Sequence, residues 1–213
     1  MQITIHHIAP VFLEKEKIGR SEIWNKEISF SKGEHIQLVA PSGSGKTSFI
    51  HFLYGMRKDY TGDVSIGGLS IRQAGSEKLA VVREKTISIV FQDLRLFTAH
   101  SAFENIEVKR QLSPFHDAER IKEMAAALGV AEKLEQQAGK CSYGEQQRIA
   151  IIRALQQPFD FIILDEPFSH LDLENSKKAM QLISEEAGKR QAGIILADLE
   201  PVPFFDAQKT FYL

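Results

Sequence analysis

Two stretches far apart in the chain carry residue types that handle phosphate. The first is residues 40–47, Ala-Pro-Ser-Gly-Ser-Gly-Lys-Thr. Successive backbone amides of such a Gly- and Ser-rich turn at a helix start form an anion cradle, and the helix dipole reinforces it. Ser42, Gly43, Ser44, Gly45 and Ser48 would surround the phosphates. Lys46 would reach the β- and γ-phosphates of a nucleoside triphosphate, and the Thr47 hydroxyl would bind Mg2+. Ala40 stands where the pattern normally has glycine, a departure that a slightly adjusted turn absorbs. The second stretch, Phe-Ile-Ile-Leu-Asp-Glu at 161–166, is an apolar strand ending in two acids. Such a strand delivers Asp165 to the sheet edge beside the phosphate loop, to hold Mg2+ directly or through water. Glu166 is then positioned to polarise an attacking water as general base. Each stretch supplies what the other needs, and together they imply ATP hydrolysis with Mg2+.

The elements around these stretches are legible in outline. Residues 2–8 alternate polar and apolar, and 22–30 do so more loosely, as half-buried strands would. Residues 31–34 read as a turn, 35–39 as a strand entering the phosphate loop, and 45–54 as the helix leaving it. Residues 63–68 form a hairpin-like segment with its Gly pair at the turn. Residues 76–84 read as a helix, 86–91 as a strand ending at Gln92, and Ser101 with Glu104 as a capping box. Residues 114–137 are Ala-, Glu-, Lys- and Leu-rich, with Ile121, Met124, Leu128 and Leu134 near helical spacing and Gly129 breaking it. Helix 174–190, strand 193–197 and a short strand 209–213 follow. Strands alternating with helices imply an α/β fold with a mostly parallel sheet, the early antiparallel strands forming an added layer. The expectation is one domain over 1–213: a phosphate-loop core at 1–91 and 145–213, with an inserted helical subdomain at 92–144.

Composition bounds the setting. The 213 residues are 43% hydrophobic and 25% charged, with a net charge of -2. That is ordinary for a globular domain, and no global basic field draws it to nucleic acid or anionic lipid. Cys141 is the one cysteine, so no intramolecular disulfide forms and a reducing compartment is expected. The N-terminal residues lack a secretory leader's basic start and apolar run. No run of about 18 apolar residues exists to span a bilayer, so any membrane role comes through a partner.

A third stretch, Ser142-Tyr-Gly-Glu-Gln-Gln-Arg148, resembles the signature peptide of the ATP-binding subunits of ABC transporters, and the resemblance covers essentially the whole chain. Phe91-Gln92 is similar to that family's Q-loop, Ser169-His-Leu-Asp172 to its D-loop, and 144–155 to its signature helix. The wording of 91–97 and 103–106 is most similar to the branch serving lipoprotein release, macrolide export and cell division. The resemblance implies a homodimer of head-to-tail subunits, each ATP held between one phosphate loop and the partner's signature. Ser142 and the Gly144 amide would then face the γ-phosphate across the interface. Gln92 would sense Mg2+ and the attacking water. An integral-membrane permease subunit would dock a short coupling helix beside the helical lobe, putting the protein at the cytoplasmic face of the membrane. An aromatic from an early strand stacks on adenine in this family. Phe12 is the candidate here, a buried core position being the alternative reading.

Three departures from the family pattern matter. Tyr143 replaces a signature glycine and adds bulk near the dimer seam, to pack against it or loosen it. Cys141 replaces an apolar residue, as a redox thiol or as a small buried hydrophobe. Asp198 stands where the family has a histidine contacting the γ-phosphate, and no other histidine obviously substitutes. A carboxylate there repels phosphate unless it is protonated, pointed away or bridged by metal. Nucleotide binding is expected to survive and hydrolysis to be slow. The second reading is therefore an ATP-gated clamp that dimerises and barely hydrolyses. A soluble ABC protein acting on DNA or ribosomes is disfavoured, because no duplicated cassette, long coiled coil or basic extension is present.

Overall fold

The computed structural model describes residues 1–213. In chain order the first elements are strand Gln2–Pro10 (β1), helix Lys15–Arg20 (α1), strands Glu27–Ser31 (β2) and His35–Val39 (β3), and helix Lys46–Leu53 (α2). Strands Tyr60–Ile66 (β4) and Leu69–Ser70 (β5), helix Ser76–Lys85 (α3) and strand Ile87–Val90 (β6) come next. Helices Ala102–Leu112 (α4), Glu119–Ala127 (α5) and Tyr143–Ala154 (α6) precede strand Phe161–Asp165 (β7). Helix Leu173–Arg190 (α7) and strands Gly193–Asp198 (β8) and Lys209–Tyr212 (β9) complete the chain.

The strands form two sheets, as the alternation of strands and helices implies. One is antiparallel, in the order β2-β1-β4-β5; the other is parallel, in the order β6-β7-β8-β3-β9. Successive side chains of a strand face opposite sides, and the central strands β7 and β8 carry no polar side chain before their terminal acids because both faces are covered. Phe161, Ile163, Ile195 and Ala197 pack into one cluster with the antiparallel layer, α2 and α3. Their neighbours Ile162, Leu164, Ile194 and Leu196 pack into a second with α4, α5, α6 and α7. The strands therefore read as unbroken apolar runs, and their carboxyl ends are free to carry polar chemistry.

Two local expectations need correction. Residues 22–26 are not strand. The Ser21 hydroxyl accepts from the Ile23 and Trp24 amides, both at 3.0 Å, folding the segment into a turn that buries Ile23 and Trp24. The apolar alternation there recorded burial without extension. Residues 15–20, unassigned from sequence, form the short α1. Elsewhere the signals hold: Gly67 and Gly68 sit at φ +55° and +82° between β4 and β5, and Ser101 and Glu104 close a reciprocal capping box. Cys141 is buried, the small-hydrophobe reading.

One polar cluster ties α7 to the helical segment. Glu186 is fully buried and accepts from His116 Nε2 at 2.6 Å, Arg120 Nη2 at 2.8 Å, Lys189 Nζ at 2.7 Å and Arg190 Nη1 at 2.7 Å. The Arg190 guanidinium also lies 3.6 Å over the Phe115 ring and 4.5 Å over Phe159. Burial alone would raise the Glu186 pKa, but these bonds outweigh it and hold the carboxyl far below its ordinary range. A depressed carboxylate stabilises the fold above its unfolded pKa and ceases to as protons reach it. Glu186→Gln is expected to cost about 3–5 kcal/mol by leaving buried cations unpaired. The wild-type advantage should be complete above about pH 4.5 and shrink below it. Denaturant midpoints of both proteins at pH 7 and pH 3.5 check this; equal midpoints at pH 7 would refute it.

Candidate nucleotide site

The phosphate loop joins β3 to α2 and is held from two sides. The Ala40 amide donates to the Asp198 carbonyl at 2.9 Å, tying the loop's start to the end of β8. Ala40 is buried and lacks a positive φ, so this position does not need glycine. Gly45 does: its φ is +99°, and a Cβ there would lie 2.9 Å from Trp24 Cζ2. The Trp24 indole also donates to the Ser44 carbonyl at 3.1 Å and packs edge-on against Phe49 and Phe52. Trp24 is thus the floor of the loop. No motif announced it; the only signal was a lone tryptophan shortly before the loop.

At the carboxyl end of β7 the two acids diverge. Asp165 is buried, and its Oδ1 has no hydrogen-bond partner. Burial raises its pKa to about 6, against the pull of Lys46 and with a further push from Asp93 and Asp198. Glu166 sits at φ +46°, a strained backbone for a non-glycine residue. Its amide donates to the Ala197 carbonyl at 2.9 Å, and its carbonyl accepts from Gln147 Nε2 at 3.1 Å and the Ser169 hydroxyl at 3.2 Å. The turn so enforced aims the Glu166 carboxylate at Lys46, with which it forms a buried ion pair. Burial lowers the Lys46 pKa, and Asp165 and Asp198 draw it back up.

Asp198, at the end of β8, lies close enough to Lys46 for the two charges to interact. Its Oδ1 accepts from the Leu199 amide at 2.7 Å, and burial raises its pKa. The Leu199 amide stabilises the charged carboxylate, and burial outweighs it.

A cavity of about 330 Å³ over the loop is lined by Ser42, Gly43, Gly45, Lys46, Thr47 and Ser48, with Phe12, Gln92 and Glu166 around its rim. Phe12 is 51% exposed, which excludes the buried-core alternative. The Arg57 guanidinium lies 4.7 Å from its ring centroid, and Arg57 Nη1 donates to the Ser48 hydroxyl at 3.1 Å. Ser44 faces a different, smaller cavity beside Lys17 and Arg20 of α1. A third cavity, about 320 Å³, is lined by Thr47, Gln92, Asp165 and Tyr143 among others. An unpartnered carboxylate oxygen beside a hydroxyl and an amide oxygen is the donor set a hard divalent cation takes. Mg2+ fits these residues.

Ser142 and Gly144 lie outside these cavities, at the start of α6. Ser142 is the N-cap: its hydroxyl accepts from the Glu145 amide at 3.3 Å, and Glu145 Oε2 accepts from the Ser142 amide at 2.7 Å. The Ser-x-x-Glu spacing at 142–145 is the sequence signal of this box. Gly144 is pressed against the segment after Glu166, where a Cβ would meet the His170 carbonyl at 2.9 Å. Buried Gln147 pins the same segment, its Oε1 accepting from the His170 amide at 3.1 Å. Arg153 holds the turn after Gln92 by donating to the Leu94 and Arg95 carbonyls.

A parallel sheet with this loop and an antiparallel layer defines a P-loop ATPase of the ATP-binding cassette type. The family described as "ABC transporter" matches residues 24–169, and the chain belongs to it. It is 32% identical over 173 residues to the macrolide export ATP-binding/permease protein MacB of Nitrosomonas europaea, matching 80% of this chain and 26% of that protein. It thus spans about a quarter of MacB. It is also 31% identical over 189 residues to the Escherichia coli ABC transporter ATP-binding protein YbbA, matching 85% of this chain and 80% of that one. The ATP-binding cassette MJ0796, in a dimeric post-hydrolysis state bound to ADP and Pi, superposes with a TM-score of 0.79. The superposition covers 93% of this chain and 88% of that one at 23% identity, a likeness of fold.

The buried Asp165 yields a test of the site's electrostatics. An acid whose folded pKa is raised binds more protons folded than unfolded, so it destabilises the fold as pH rises between about 4 and 6. Asp165→Asn is therefore expected to stabilise the metal-free protein at pH 7 by about 1–3 kcal/mol, and hardly at all at pH 4. Thermal midpoints in chelator at the two pH values measure this. A variant less stable than wild type at pH 7 would contradict the burial cost.

Proposed function

We propose that the chain is the ATP-binding and ATP-hydrolysing subunit of an ABC transporter, working as a head-to-tail homodimer that drives an integral-membrane permease. One observation carries the reading: Lys46, Thr47, Gln92, Asp165 and Glu166, distant in sequence, converge on adjoining cavities at one sheet edge. In this assignment the turn formed by Ser42, Gly43, Ser44, Gly45 and Ser48 wraps the phosphates, Ser44 shaping it from the far side, and Lys46 neutralises them. Phe12 offers its exposed face to adenine. Thr47, Gln92 and Asp165 hold Mg2+, which when bound offsets phosphate charge. Nucleotide phosphate competes with Glu166 for Lys46, and the released Glu166 carboxylate takes the proton of the attacking water. Ser142 and the Gly144 amide, at an N-terminus whose dipole favours anions, face the nucleotide of the other subunit.

The division into a core at 1–91 and 145–213 and a helical lobe at 92–144 gives the permease a docking place. A groove of about 290 Å³ between them is lined by Tyr54, Phe91, Phe97, Val108 and Leu112 together with Arg95, Lys109 and Arg153. Apolar walls with a cationic edge suit a short amphipathic coupling helix. No helix of the chain is long and apolar enough to cross a membrane, so this docking is what would hold it at the cytoplasmic face.

Asp198 favours a second reading, the clamp that closes on ATP and turns over slowly. Its carboxylate accepts, as from the Leu199 amide, and has no proton to donate to a γ-phosphate as an imidazole can.

Turnover measured against protein concentration, with Glu166→Gln alongside, separates the two. Cooperative turnover that vanishes in the variant, while an ATP-bound dimer accumulates, supports the transport ATPase. ATP-driven dimerisation without wild-type turnover, with the permease present, supports the clamp. Lys46→Ala is expected to weaken nucleotide binding by at least about 100-fold, the scale of losing a charge-assisted contact to phosphate. Unchanged affinity in titration calorimetry would remove the phosphate-loop assignment.

A further inference from the structure

We propose that Tyr143 is a positioning residue that couples each subunit's own Mg2+-side loop to the signature surface it presents to the other subunit. The inference rests on the nucleotide-dimer reading above. Tyr143 is the first residue of α6, directly between Ser142 and Gly144. A tyrosine at an exposed helix start is free to extend into solvent. This one folds back onto its own subunit: its hydroxyl donates to the Gln92 carbonyl at 3.2 Å. Its ring meets the His170 ring edge-on, with centroids 4.2 Å apart. It also forms part of the wall of the cavity that holds Thr47, Gln92 and Asp165.

The bulk that replaces a small residue is therefore laid along the surface toward Gln92, with 44% of the residue still exposed. It also makes a connection that glycine could not. The other tethers of the α6 start, Gly144 against His170 and Gln147 to Glu166, run to the segment after β7. Tyr143 alone among them reaches the turn after β6. A phenol ring is a rigid strut with few rotors, so a shift of the Gln92 backbone is passed to the hydroxyl and on to the first turn of α6. That turn carries the Ser142 hydroxyl and the Gly144 amide. Loading one subunit's cation site would thereby order the anion-binding helix start meant for the other nucleotide.

Hydrogen exchange on the full chain, with and without Mg2+·ADP, tests this. In the wild type, Mg2+·ADP is expected to slow exchange at the phosphate-loop amides and, in addition, at residues 142–146 by about fivefold, the scale of one neutral hydrogen bond. Tyr143→Phe keeps the ring and removes only the donor. It should retain the phosphate-loop response and lose the response at 142–146. His170→Ala removes the ring contact and leaves the hydrogen bond, and should retain both. A response at 142–146 that persists in Tyr143→Phe, or that both variants lose alike, overturns the coupling. Absence of phosphate-loop protection in the wild type removes the nucleotide site itself, and the coupling with it.

Discussion

The charge balance beneath the phosphate loop is the constraint on which the site depends. Lys46 is one buried cation facing three carboxylates: it pairs with Glu166 and feels Asp165 and Asp198. Buried charges are tolerated only when partnered, and here the partners outnumber the cation. The chain meets the excess in three ways. Asp198 accepts from the Leu199 amide, Asp165 keeps a proton to higher pH than usual, and Glu166 is held on Lys46 by a strained turn. Even so the carboxylates outnumber the cation, a balance that a bound divalent cation would redress. A strained residue such as Glu166 persists only where its surroundings over-determine it, and the end of a buried sheet does so.

That sheet edge exists because of the alternation within β7 and β8. Both faces of each strand are buried, one under α4 to α7 and the other under the antiparallel layer. Polar residues are excluded until the strand ends, so Asp165 and Asp198 appear at the first position where the sheet permits them. The same ends receive the loop from β3, and the Ala40 amide is bonded to the Asp198 carbonyl across them. Fold and site are thus one construction: the apolar length of each strand sets where its acid emerges.

Much of this was legible beforehand, and the exceptions have physical causes. Patterns that repeat locally were readable, such as the strand into the loop, the Gly67–Gly68 turn and the capping box at Ser101. The convergence of Lys46 with Asp165 and Glu166 followed from their places at a helix start after one strand and at the end of another. Trp24, Arg57 and Gln147 were not foreseen, because each acts through one tertiary contact that leaves no spacing in the chain. The strand expected at 22–26 failed because burial of Ile23 and Trp24 imitates strand alternation, while the Ser21 hydroxyl bends the backbone. Whether Phe12 was core or rim could be decided only by its surroundings. Asp198 was recognised as a departure, but its engagement with the Leu199 amide depends on a backbone course no motif encodes.

Trp24 has a consequence beyond packing. It is the chain's only tryptophan, almost fully buried, with its indole N–H bonded to Ser44 and its six-membered ring under Gly45. Emission excited selectively from tryptophan therefore arises at one spot, immediately beneath the loop that would bind phosphate. The protein carries an intrinsic optical reporter there, readable without any label and in the presence of partners whose own tryptophans have been replaced.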